Sequence, residues 1–193
     1  MARPKARPKR PARTARPKRP APAPAPAPTA ADRGAFVALS SALTGFTPIE
    51  LEGTGNIDTH LTQLWTIIGP EICRELFASA RLALAQDDAA DREAAIKATI
   101  WASPKLGPVV QSLVRLWYYG KWNPLSAQWQ ETYRWDRPDP NASPVTVTPQ
   151  AYVEGLVWTA IGAHPPGAKP PGHGSWAYPP ALAPTVVPIK VTS

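Results

Sequence analysis

The placement of proline constrains this chain more than any other feature. Nine of its 26 prolines fall within residues 1–28 and twelve from Pro138 onward, leaving five for the stretch between. Proline has no amide proton to give a helix or a sheet ladder, so neither end reads as regular secondary structure. The middle stretch is different: apolar residues recur there at spacings of three and four, the signature of amphipathic helices. No long alternating segment argues for a sheet. The chain of 193 residues therefore reads as one all-α domain of about six helices between two extensions.

The expected helices can be placed individually. Asp32 to Leu43 puts Phe36, Leu39 and Leu43 on one side and stops at Gly45. A second runs from Asn56 or Asp58 with Leu61, Leu64, Trp65 and Ile68 along a face, until Gly69–Pro70 breaks it. Pro70 can open a third, whose apolar side holds Ile72, Cys73, Leu76, Phe77, Ala80 and Leu84. Asp88 is a cap for residues 89–102, with Ile96, Ile100 and Trp101 facing the core. Pro108 opens a fifth with Val110, Leu113, Val114 and Trp117 as its stripe, ended by Gly120. Thr148–Pro149 caps a sixth carrying Tyr152, Leu156, Thr159 and Ala160, stopped at Gly162. Gly155 inside it weakens a helix by about 1 kcal/mol relative to Ala, so tight packing is expected there. The division is 1–31 as a basic Pro/Ala-rich arm, 32–178 as the helical domain and 179–193 as an extended tail.

Charge is distributed as unevenly as proline. The formal net charge is +7, but residues 1–20 hold nine Lys/Arg and no acid, so the rest of the chain carries a net −2. The first 29 residues read as a disordered to polyproline-like arm, suited to neutralising phosphates or to solubilising the chain. This keeps open a nucleic-acid-associated helical protein that uses its basic arm. The Ala/Pro run at 21–28 is too interrupted to be the apolar core of an export signal. No run of 18 apolar residues occurs, so no conventional spanning helix is expected.

One connection is too long for a simple bundle. Lys121 to Pro149 contains Trp122, Trp129, Tyr133 and Trp135, with room for a short helix around Ser126–Tyr133. Such an aromatic excursion either forms a binding surface or folds back on its own core.

Residues capable of chemistry are sparse. His60, His164 and His173 fall in no HExxH or His/Cys cluster, and Cys73 on an apolar helix side reads as a buried, inert thiol. Asp58-x-His60 is the one acid–base spacing, but it sits where Asp is an ordinary capping residue. Neither a dinucleotide nor a nucleoside triphosphate cradle is present. No catalytic, cofactor-binding or metal-ligating residue is assigned, and the chain reads as no enzyme by itself.

Three passages carry a resemblance. They are FVALSSALTG at 36–45, LWYYG at 116–120, and YVEGLVWTAIG at 152–162 followed by AHPPGAKPPGHGSWA at 163–177. In this order they resemble the small subunit of membrane-bound FAD-dependent sugar and polyol dehydrogenases, the sorbitol, fructose and glucose dehydrogenase complexes. The resemblance covers roughly residues 32–178. It implies a non-catalytic, chaperone-like assembly subunit at the periplasmic face of the inner membrane. The partner it implies is a large subunit that holds FAD and oxidises the sugar, with a cytochrome c subunit carrying haem c as a third component. It implies core or turn roles for Trp117, Gly120, Tyr152, Gly174 and Ala177. Trp122, Trp129, Trp135, Trp176, Tyr118, Tyr119 and His173 are then the expected partner contacts, with Trp176 alternatively clamping the arm onto its own domain.

Overall fold

The computed structural model describes residues 26–134 and 145–165. Among these, nine α-helices, one π-helical turn and a short strand pair are present, so the all-α expectation holds. Among the described residues no helix is long and apolar enough to cross a membrane.

Helix α1 (Ala30–Thr44) opens on a capping box: the Thr29 hydroxyl accepts from the Asp32 amide at 3.2 Å, while the Asp32 carboxylate accepts from the Thr29 amide at 2.9 Å. The helix thus starts two residues before the expected Asp32, because Asp32 is the third residue of the cap. Gly45 ends it with φ +80°. Helix α2 (Pro48–Gly53) follows from a second capping box, Thr47 with Glu50. Six residues long with only Leu51 buried, it shows no apolar periodicity, which is why spacing alone misses it. Helices α3 (Ile57–Ile68) and α4 (Pro70–Leu84) meet at Gly69, and Pro70 opens α4 as expected.

Helix α5 (Ala89–Ile96) runs directly into a π-helical turn at Lys97–Trp101. The extra residue in that turn shifts the register. Ile96 and Ile100 are buried, but Trp101 is turned outward and 37% exposed, contrary to its expected core position. The next helix, α6 (Gly107–Tyr119), is fitted closely beneath: a Cβ at Gly107 would lie 2.5 Å from the Trp101 carbonyl oxygen. The buried stripe of α6 runs through Val109, Val110, Leu113, Leu116 and Trp117. Val114 lies on the flank of that stripe and is half-buried, as is Leu84 at the end of α4.

Helices α1 and α6 pack against each other, and α3 touches both. Their shared centre is Trp117. Its ring stacks on Phe36 at 6.1 Å, stands nearly perpendicular to the His60 ring at 4.6 Å, and donates its indole N–H to the Ser40 hydroxyl at 3.0 Å.

The long connection after α6 is closed at both ends. Strand β1 (Lys121–Trp122) pairs antiparallel with β2 (Val145–Thr146), and Val147 donates its amide to the Gly120 carbonyl at 3.0 Å. Within the loop α7 (Ala127–Tyr133) forms, capped by Ser126, where room for a short helix was read. The expected sixth helix is two, α8 (Pro149–Val153) and α9 (Leu156–Ala160), separated at Gly155. A Cβ there would come within 2.7 Å of the Tyr118 carbonyl, so the tight packing expected at Gly155 is present and also breaks the helix.

Gly120 and Gly45 separate two costs of replacing a glycine. Both have positive φ, but only Gly120 is enclosed, with a Cβ destined to lie 2.5 Å from the Ala151 backbone. Gly45→Ala is expected to cost about 1 kcal/mol for the backbone alone. Gly120→Ala should cost about 3 kcal/mol or more, since Ala151 must also move. Urea unfolding of the two variants, followed by tryptophan fluorescence, checks the difference.

Candidate partner-binding surface

Of the four described aromatic residues expected to meet a partner, two are buried and a third is half-buried. Trp122 is 1% and Trp129 4% exposed, so the structure withdraws both from the surface. The physical reason is the closed loop: pairing β1 with β2 lays Trp122 over the core, and α7 brings Trp129 back so that its indole N–H donates to the Lys105 carbonyl at 2.8 Å. Of the two readings of the excursion, folding back on its own core is the one these residues follow. Tyr118 is half-buried and donates its hydroxyl to the Thr44 carbonyl at 3.1 Å. Tyr119 alone of the described candidates stands well out, 53% exposed. Trp135, His173, Gly174, Trp176 and Ala177 lie outside the described residues.

Trp117 is the central core side chain, and Gly120 releases the chain from α6 at φ +66°. Tyr152 receives the indole N–H of Trp158 on its carbonyl at 2.9 Å, with the two rings edge to face at 5.5 Å.

A surface feature that spacing did not reveal lies on the other side of α1. The C-terminal half of α1, the ends of α4 and α5, and the π turn enclose an open groove of about 620 Å³. Ala38, Ala42, Leu43, Leu84, Ile96 and Trp101 supply its apolar lining. Arg92, Glu93 and Lys97 stand along one wall. Arg92 is held by the Gln86 and Asp87 carbonyls at 2.6 and 2.9 Å, which fixes the turn between α4 and α5. Lys97 pairs with Glu93 at 2.6 Å and holds that carboxyl below its usual range. Small side chains on α1 leave the space, and the π turn points Trp101 into it. The signal available in sequence was the pair Ile100–Trp101: on one helix such neighbours lie about 100° apart, so both cannot face the core centre equally.

The acid–base spacing resolves into two unrelated environments. Asp58 faces outward and accepts from Arg33 Nε at 2.9 Å, while Glu52 accepts from the same guanidinium at 2.8 Å. His60 faces inward against Trp117, 1% exposed, with no hydrogen-bond partner for Nδ1. The two side chains therefore form no dyad. Burial pushes the Cys73 thiol well above its ordinary range, which keeps it protonated and unreactive. Among the described residues no group of three His, Cys, Asp or Glu side chains is placed to hold a metal ion. His164 is exposed near the end of the described chain.

No family model, curated protein or solved structure matches this chain.

Burial lowers the His60 pKa to about 3, so the native state keeps this imidazole neutral while the unfolded chain takes up a proton below about pH 6.5. Unfolding therefore becomes easier as pH falls from about 6.5 toward 3, by up to about 1.4 kcal/mol per unit from this group. Denaturant midpoints of wild type and His60→Leu, compared between neutral and acid pH, should diverge in slope by that amount. Parallel curves would show that His60 is not buried neutral.

Proposed function

We propose that this chain is a non-catalytic accessory subunit that binds and stabilises the FAD-containing catalytic subunit of a sugar or polyol dehydrogenase complex. The reading is supported by the ordered resemblance at 36–45, 116–120 and 152–177. The segment LWYYG occupies a place where its residues have separate duties: Trp117 in the core, Tyr118 tied to α1, Tyr119 exposed and Gly120 turning the chain. An assembly subunit needs a complementary surface and no reaction centre of its own.

The observation that carries the reading is the groove between α1, α4 and α5. An open apolar groove with a half-exposed indole beside it suits a partner's apolar side chains, because a rigid aromatic gains contact area at low entropy cost. Leu82 at 73% and Ile49 at 84% exposure, on α4 and α2, add apolar surface on helices that flank the groove. In this reading the flavin oxidation belongs to the large subunit, and electrons pass to a cytochrome c subunit at the periplasmic face of the inner membrane.

Coexpression with the flavoprotein large subunit and affinity capture of the tagged chain tests the proposal. The expected result is a copurifying yellow flavoprotein whose yield falls at least about tenfold with Trp101→Ala, as for a central interface aromatic. Because Trp101 is outside the core, the unfolding midpoint of that variant should stay near wild type. Capture of no flavoprotein, or capture indifferent to Trp101, would overturn the reading or its placement respectively.

A further inference from the structure

We infer that the groove between α1 and α5 is a docking site for this chain's own residues 182–191, LAPTVVPIKV, which cover Trp101. Ala38, Ala42, Leu43, Leu84, Ile96 and Trp101 give the groove its apolar lining. At about 620 Å³ it has room for several aliphatic side chains. Removing such a surface from water is favourable, and an occupant must bring apolar side chains to do it. The opposite requirement is electrostatic. The wall made by α5 and the turn before it carries Asp87, Asp88, Asp91 and Glu93 against Arg92 and Lys97 alone. Arg92 is engaged by the Gln86 and Asp87 carbonyls and Lys97 by Glu93, so the wall favours a cationic, acid-free occupant.

Three segments of the chain lie outside the described residues, and their chemistry separates them. Residues 1–25 offer, after Met1, only Ala, Pro, Thr, Lys and Arg, with nothing to fill an apolar recess. Residues 135–144 carry Asp136 and Asp139 and must join α7 to β2. Residues 182–191 bring Leu182, Val186, Val187, Ile189 and Val191 with Lys190 as their one charge, which meets both requirements. Pro184 and Pro188 bring no amide proton, so the segment suits an extended seat and not a helical one. Its reach is sufficient. The described chain leaves the body at Pro165, after α9. That helix lines a recess with Phe46 and Glu50, and Pro48 between them lines the groove. The chain from Pro165 to Leu182 spans up to about 55 Å, against a radius of gyration of about 14 Å for a body of this size. A tether of that kind holds its end at about millimolar local concentration, so modest contacts suffice. Any polypeptide that takes the groove then competes with this segment.

The test uses the full chain alone, so its failure is separate from failure of the assembly reading. Cys73 is buried and is the one cysteine of the chain, so Thr192→Cys can carry a nitroxide label by itself. In nuclear magnetic resonance spectra the label should broaden the Trp101 indole N–H signal, assigned through Trp101→Phe, far more than that of Trp65 on α3. Removing residues 182–193 should shift the Trp101 signal and leave that of the buried Trp117 in place. Val187→Asp together with Ile189→Asp should lower the ratio of covered to open groove at least about a hundredfold, for two lost aliphatic anchors. Val187→Ile together with Ile189→Val should keep the groove covered. A Trp101 signal indifferent to the truncation or to the paired aspartates would overturn the proposal. So would broadening that passes only from a labelled chain to an unlabelled, isotope-enriched one, which would give the groove to a second copy.

Discussion

Trp117 is where the helices of this fold are joined. Its ring touches Phe36 from α1 and His60 from α3, and its one polar atom finds the Ser40 hydroxyl. A buried indole N–H without an acceptor would carry a desolvation penalty of about 1–3 kcal/mol, so the small polar Ser40 is as necessary as the apolar rings. The same geometry obliges His60 to stay neutral, since an imidazolium at 1% exposure would have no compensating charge among the groups that touch it. The end of α6 follows from this anchor, since only Tyr118 and Tyr119 of the helix lie beyond it. With Trp117 held, Gly120 must turn the chain against the Ala151 backbone, and the loop that leaves there must return to pair with β1.

That loop determines where the aromatic surface of the protein goes. Trp122 and Trp129 bury their rings in the chain's own core, and Trp129 satisfies its indole with the Lys105 carbonyl. Lys105 is itself paired with Glu75 and lies 5.8 Å from the Tyr133 ring, so α7 is held by packing, a hydrogen bond and a cation–π contact together. Aromatic residues used in this way rigidify the α4–α6 side and are lost to recognition.

The opposite side is built more loosely. Helix α5 buries only Ile96, and three of its four alanines are exposed, so it is attached chiefly through its junction with α4 and the π turn. Few buried apolar contacts place a helix at the low end of local stability. The fold thus pairs a densely packed centre with an apolar edge beside a helix that buries little.

The helices with long apolar stripes were legible before any coordinates. Phe36 and Leu39, Leu61 and Leu64, Leu76 and Phe77, and Leu113 and Trp117 all lie where their spacing puts them, because a helix period and a single core leave little choice. Gly45, Gly69 and Gly120 end helices for a reason contained in the residue itself, the access of glycine to positive φ. Short helices without a stripe were not legible in this way: α2 depends on its capping box, and the break between α8 and α9 depends on the Tyr118 carbonyl pressed against Gly155. The orientation of Trp122 and Trp129 was beyond local pattern as well. A tryptophan can serve a core or an interface with the same chemistry, and for Trp122 and Trp129 the choice is set by partners distant in the chain: the β2 strand beside Trp122 and the Lys105 carbonyl opposite Trp129.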